Sequence, residues 1–151
     1  IAGLLEYSTN FMSNQIFLAL GAKVYGGPAT VEKGLQTLTQ FLHQEVGWTD
    51  FTLVEGAGLS RQNSVTPRQM MRLLDYFQPY IDLLPEHFGA VRAKTGTLNG
   101  VNTLVGYFDN DKGELVKFVI LVNDQVPYDY KFQLAKKLYQ GVTGHPVPKA
   151  R

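Results

Sequence analysis

The chain contains no cysteine, and in 151 residues it has only one tryptophan and three histidines. Without thiols there is no disulfide framework and no thiolate metal site, a composition compatible with an oxidising compartment. His43, His87 and His145 stand apart, with no two at metal-ligand spacing, so packing or surface roles are expected of them and no metal site. Excess charge is lacking too. The formal net charge is +1, and no large field argues for nucleic acid or a membrane surface. No stretch approaches the roughly 18 uninterrupted apolar residues of a membrane span, and no signal peptide, internal repeat or low-complexity tract is visible. The first residue is Ile1 rather than Met, which reads as a processed, engineered or fragmentary chain. What is present is a 44% share of hydrophobic side chains, enough for a compact unit with a sizeable core.

Hydrophobic spacing predicts a helix over about Asn10 to Leu20, with Gly21 as its stop, and a second from a Thr30 cap through Val46. Val31, Leu35, Leu38 and Leu42 share one face of the second helix, and Gly47 ends it. Phe51 to Val54 reads as a short strand, and Glu55 to Val65 as a glycine-rich loop held in place by residues such as Arg61. Thr66-Pro67-Arg68-Gln69 then opens a helix: Thr66 is the N-cap, Pro67 takes the first helical position and Gln69 lies three beyond the cap. After an irregular stretch from Pro85 to Gly89 the texture turns to strands: Val91 to Thr97, Val101 to Phe108 and Leu115 to Val122. The last of these, an unbroken apolar run, is expected to be central and buried. Asp109 to Gly113 makes a turn, and Tyr128 to Gly141 closes the chain as a helix. Trp48, Phe51 and Phe41 are expected in the core, while Tyr76, Tyr80 and Tyr107 fit either packing or a groove. Helices, an antiparallel meander and a final helix argue for an α+β fold, an antiparallel sheet with packed helices.

The strongest chemical feature is Lys94-Thr95-Gly96-Thr97 on the first strand of the meander. Lys94 presents an ammonium, Thr97 is expected to share its face, and Gly96 between them leaves room for a ligand or a backbone. Cation, hydroxyls and backbone amides together suit a terminal carboxylate and a developing oxyanion. The bland alternative is a lysine-bearing strand with a glycine bulge. A phosphoryl-accepting Lys-Thr-Gly-Thr segment, as in P-type ATPases, needs an aspartate just before it, and here that position is Ala93.

A second element, Ser8-Thr9-Asn10, precedes the first helix. Its hydroxyl and amide suit proton relay and peptide binding, and these residue types also serve as ordinary helix caps. Serine acyl-transferases that react with penicillin carry Ser-x-x-Lys, then Ser-x-Asn, then Lys-Thr-Gly. The present chain has the last two in that order. Between them, Glu55-Gly56-Ala57-Gly58-Leu59-Ser60-Arg61-Gln62-Asn63, with Val65-Thr66-Pro67 after it, resembles a segment of the D-Ala-D-Ala carboxypeptidases of the peptidase S13 family. The run from Lys94 through Leu98, Val101 and Gly106-Tyr107 matches that family as well. The likeness extends from about Tyr7 to Asp124. Glu55 stands where the family usually has aspartate, Ala57 where it has serine, and Thr9 in place of a central aspartate.

No serine is followed three residues later by lysine: Ser8 leads to Phe11, Ser13 to Ile16, Ser60 to Asn63 and Ser64 to Pro67. The resemblance therefore implies the C-terminal part of a split transpeptidase domain, with nucleophile and base upstream, and predicts no catalysis by the chain alone. It implies a parent that hydrolyses peptidoglycan peptides ending in D-Ala-D-Ala through an acyl-enzyme, reacts with β-lactams, works outside the cytoplasm or in a bacterial periplasm, and uses no cofactor. By that likeness Ser8 relays a proton and Asn10 binds substrate backbone. Lys94 and Thr97 hold the carboxylate on a strand completed by Thr95 and Gly96, and the Thr97 amide joins the oxyanion hole. Two other parents remain open, an inert peptidoglycan-binding homologue and a serine β-lactamase-type hydrolase. Truncation would also leave apolar surface on which a homodimer could form.

Overall fold

The computed structural model describes residues 1–148. A short helix, α1 (Ala2–Tyr7), opens the chain, and the remainder divides into two compact units, one formed by Tyr7–Tyr76 and the other beginning at Phe77.

The first unit is helical. Its helix α2 (Asn10–Tyr25) runs past Gly21, the expected stop, and ends at Gly26, whose φ of 78° takes the backbone out of the helix. Gly21 serves packing instead: a Cβ there would lie 2.5 Å from the amide nitrogen of Gly34 in α3 (Val31–Gln44). Thr30 caps α3 as expected, its hydroxyl accepting from the Lys33 amide at 3.3 Å, but the helix stops at Gln44, short of Val46. Helix α4 (Pro67–Phe77) starts with the reciprocal bonds its sequence predicts. The Gln69 amide donates to Thr66 Oγ1 at 3.2 Å, and Gln69 Oε1 accepts from the Thr66 amide at 2.7 Å.

Leu42, Val46 and Trp48 form the core of this unit, with Phe41, Phe51 and Met70 packed around them. The indole N–H of Trp48 is satisfied by the Gln69 carbonyl at 2.7 Å, so the ring is buried without leaving a polar atom stranded. Phe51 to Val54 does not make a strand; only the Thr52–Ser64 bridge closes the base of the loop that follows. A single bridge gives too little pairing for a sheet.

The second unit is an antiparallel meander. After a 3₁₀ segment (Gln78–Leu83) come β1 (Glu86–His87), β2 (Val91–Leu98), β3 (Val101–Asp109) and β4 (Leu115–Val122), hydrogen-bonded in chain order. β1 lies in the stretch expected to be irregular. The apolar run of β4 is not central. It forms an edge, and β3 holds the buried position, with Leu104 to Phe108 all shielded. Helix α5 (Tyr130–Thr143) covers one sheet face, and there Val91, Ala93, Leu104, Phe108, Phe118 and Ala135 make the core. That cover accounts for Val116, Phe118 and Ile120 of β4, while Val119 and Leu121 belong to the opposite face. Asn102, at the start of β3, ties α5 down by donating from Nδ2 to the carbonyls of Pro127 (3.1 Å) and Tyr128 (3.2 Å).

Candidate functional site

Lys94, Thr95, Gly96 and Thr97 lie together on β2. Pairing with β3 is continuous from Val91–Phe108 to Leu98–Val101, so no glycine bulge interrupts it. Gly96 has another reason to be glycine. A Cβ there would lie 2.4 Å from the hydroxyl oxygen of Thr103, its partner on β3, so the space is taken by the neighbouring strand rather than held for a ligand.

The direction of the backbone groups decides what this strand offers. The Ala93 amide donates to the Pro85 carbonyl at 3.0 Å, and the Ala93 carbonyl faces His87 Nε2 at 3.1 Å, so both groups of Ala93 turn away from β3. Along a strand this direction repeats at every second residue, which turns the backbone of Thr95 and Thr97 the same way. β1 pairs only with Val91 and Arg92, so among the described residues no strand follows β2 along Thr95 to Thr97. The motif sits on a sheet edge.

Side chains follow the same alternation, and one expectation fails here. Thr97 is three residues from Lys94, an odd offset, so the two belong to opposite faces. Thr95 and Thr97 share the face of Val91 and Ala93, which α5 covers. Lys94 starts from the other face, and its flexible stem brings the ammonium to the edge, where it donates to the Thr95 carbonyl at 2.8 Å. Lys94 therefore reaches the strand edge from the face opposite the one that carries the Thr95 and Thr97 hydroxyls.

Two residues that sequence reasoning left aside join them. Lys131, on α5, is 0% exposed and donates to the Gly96 carbonyl at 3.0 Å and to Thr97 Oγ1. Its ammonium lies 4.6 Å from the centre of the Tyr128 ring and 5.7 Å from that of Phe132. The available signal was its position. Lys131 precedes buried Ala135 by one helical turn, a charge on the apolar stripe of an amphipathic helix. His87, expected to serve packing or the surface, does pack against Phe88 and Phe132, and it also contacts the strand that carries the motif. A carbonyl only accepts, so the bond to Ala93 requires the hydrogen on Nε2.

The electrostatics are those of a crowded cationic patch. Burial holds the Lys94 ammonium below the usual lysine range. Burial and then the nearby charge of Lys94 do the same to Lys131. The His87 imidazole is lowered chiefly by burial; the Ala93 carbonyl opposes that shift, and Lys94 and Lys131 reinforce it. An anion brought to this edge relieves all three groups at once.

Ser8 and Asn10 belong to the first unit. Asn10 is the first residue of α2 and is exposed. The simple capping explanation does not account for this segment: Thr9 holds the N-cap position yet makes no side-chain cap bond. Ser8, one residue earlier, has a φ of 53°, a left-handed backbone that costs a non-glycine residue of order 1 kcal/mol. The Glu55–Asn63 loop is organised by its first carboxylate, which accepts from the amides of Ala57 (2.6 Å) and Ser60 (3.2 Å) and from Asn63 Nδ2 (2.6 Å). Asn14 of α2 fastens the same loop by accepting from the Gly56 amide at 3.2 Å.

The sequence profile of the D-Ala-D-Ala carboxypeptidase 3 (S13) family matches residues 1–85 and 83–140. The chain belongs to this family. It is 28% identical over 144 residues to the D-alanyl-D-alanine carboxypeptidase DacB of Haemophilus influenzae, covering 80% of this chain and 30% of that protein. A penicillin-sensitive carboxypeptidase A of Dictyostelium discoideum is 29% identical over 123 residues, covering 63% of this chain and 23% of that one. Among solved structures, penicillin binding protein 4 of H. influenzae in complex with a β-lactam superposes with a TM-score of 0.81 at 25% identity, over 91% of this chain and 40% of that one. A penicillin-G-acylated predatory endopeptidase of Bdellovibrio bacteriovorus, bound to an immunity protein, gives 0.71 at 17% identity, over 99% of this chain and 47% of that one. The S13 chain thus spans less than half of the proteins it resembles, and its antiparallel sheet with packed helices is the transpeptidase-like fold of those penicillin-binding relatives.

Proposed function

We propose that this chain is the substrate-holding part of a serine D-Ala-D-Ala carboxypeptidase that cleaves peptidoglycan peptides outside the cytoplasm. The observation that carries the reading is the β2 edge, where Lys94, Lys131, the hydroxyl of Thr97 and outward backbone groups of Thr95 and Thr97 converge. A peptide ending in D-alanine brings one carboxylate and one scissile carbonyl. Lysine ammonium and threonine hydroxyl suit the first, and the Thr97 amide suits the oxyanion that develops from the second. Ser8 passes a proton toward the leaving amine, and Asn10 holds substrate backbone.

No Ser-x-x-Lys occurs in these 151 residues. The nucleophile and its base therefore come from elsewhere in the complete protein, forming and releasing an acyl-enzyme, and the isolated chain turns nothing over. The profile match and the penicillin-acylated relative support this reading.

The test is to incubate the full-length protein with penicillin, measure its intact mass and map the modified peptide. An adduct on a serine outside this chain is expected. An adduct on Ser8, Ser13, Ser60 or Ser64 would overturn the assignment of roles, and a folded protein that neither forms an adduct nor consumes the drug would overturn the enzyme reading. Lys94→Ala in the same protein is expected to slow acylation by about 100-fold or more, as loss of one preorganised charged contact does.

A further inference from the structure

We propose that Lys131 is a positioning residue that makes the Thr97 hydroxyl a dedicated hydrogen-bond donor toward the substrate's terminal carboxylate; this rests on the carboxypeptidase reading above. An ammonium has donors and no acceptor. When Lys131 Nζ bonds Thr97 Oγ1, the hydroxyl oxygen must accept, and its own proton is turned elsewhere. The second bond, to the Gly96 carbonyl, fixes the ammonium against the backbone, so the lone pair of Thr97 Oγ1 that faces it stays occupied. Thr97 is itself exposed, so a ligand can reach the hydroxyl and take the proton left free to donate. A carboxylate only accepts, and a hydroxyl left to donate matches it.

The lysine's surroundings sharpen the argument. Lys131 is fully buried, and the salt bridges found among the described residues do not include it. A buried charge without a counter-ion is costly. Tyr128 and Phe132 ease that cost through their ring faces without cancelling the charge. A carboxylate arriving at the β2 edge supplies the counter-ion that the described residues do not. Had Lys131 served only to fasten α5 to the sheet, the Asn102 bonds to the carbonyls of Pro127 and Tyr128 already do so, without a buried charge.

The experiment uses the full-length protein with Lys131→Met and Lys131→Arg, comparing acylation by penicillin with acylation by its methyl ester, in which the carboxylate is blocked. The expected result is that Lys131→Met lowers the acid-over-ester preference by about 10- to 100-fold, the range of a charge-assisted bond. Reaction with the ester should fall far less than reaction with the acid, Lys131→Arg should retain most of the preference, and the melting temperature of Lys131→Met should hold or rise. An unchanged preference, or equal losses on acid and ester, overturns the proposal while leaving the carboxypeptidase reading intact. Should Lys131→Met not fold, Lys131→Gln reads the same ratio. If neither neutral variant folds while Lys131→Arg does, the residue is structural and the proposal fails. Absence of any wild-type reaction removes the carboxypeptidase reading, and this proposal with it.

Discussion

Glu55 accepts hydrogen bonds from the amides of Ala57 and Ser60 and from the Asn63 side chain, and Asn63 Oδ1 in turn accepts from the Val54 amide at 2.9 Å. Burial by itself would raise the Glu55 carboxyl; the bonds from Ala57, Ser60, Asn63 and Leu59 together outweigh it and bring the group below the ordinary value of 4.5. A carboxylate depressed on folding stabilises fully above its unfolded value, and that contribution fades as pH falls through the folded one. Glu55→Gln is therefore expected to destabilise the protein by about 1 kcal/mol at neutral pH. The gap from wild type should close under acid, as read by urea unfolding at a series of pH values; a gap that persists at low pH would separate the effect from ionisation. The sequence announced this loop by composition, but not its organiser, since nothing in a string of glycines, serine and asparagine says which side chain collects the amides. The same limit hid Lys131, whose partners Gly96 and Thr97 lie more than thirty residues away in sequence.

At the scale of elements, local signals were the legible ones. The start of α4 follows from Thr66, Pro67 and Gln69 alone, because every group in a capping box lies within one turn of the others. Thr66→Ala is expected to cost about 0.5–2 kcal/mol by denaturant unfolding, the range for loss of an N-cap. No change would mean that Pro67 and the Gln69 side-chain bonds set the helix start without the hydroxyl. Strand existence was also legible, and strand position was not. β4 has the apolar run of a central strand, yet β3 holds that place, since which neighbour a strand finds depends on contacts across the fold. Gly21 misleads for a related reason: a glycine that ends one helix and a glycine that lets two helices meet look alike in one dimension. The facing of Lys94 and Thr97 needed only careful counting along the strand, and what counting could not supply is the reach of the lysine stem round to the edge.

For the whole molecule, the family was legible because the segments that resemble it are each contiguous in sequence: one at the head of α2, one in the Glu55 loop, one on β2. Helix α2 bears on the isolated chain's behaviour. Phe11, Met12, Leu20 and Val24 on it are 71%, 41%, 49% and 55% exposed. So much apolar surface on one helix favours association. The 151-residue chain is expected to sediment as a dimer or larger at micromolar concentration, and a clean monomer would count against that. The contact between Gly96 and Thr103 carries a consequence on a longer timescale. Because the hydroxyl of Thr103 fills the place where a side chain at 96 would go, the two positions are not independent in descent. A lineage that enlarges residue 96 must also turn or shrink the side chain at 103. The fates of the two positions are thus tied by a single close approach between two strands.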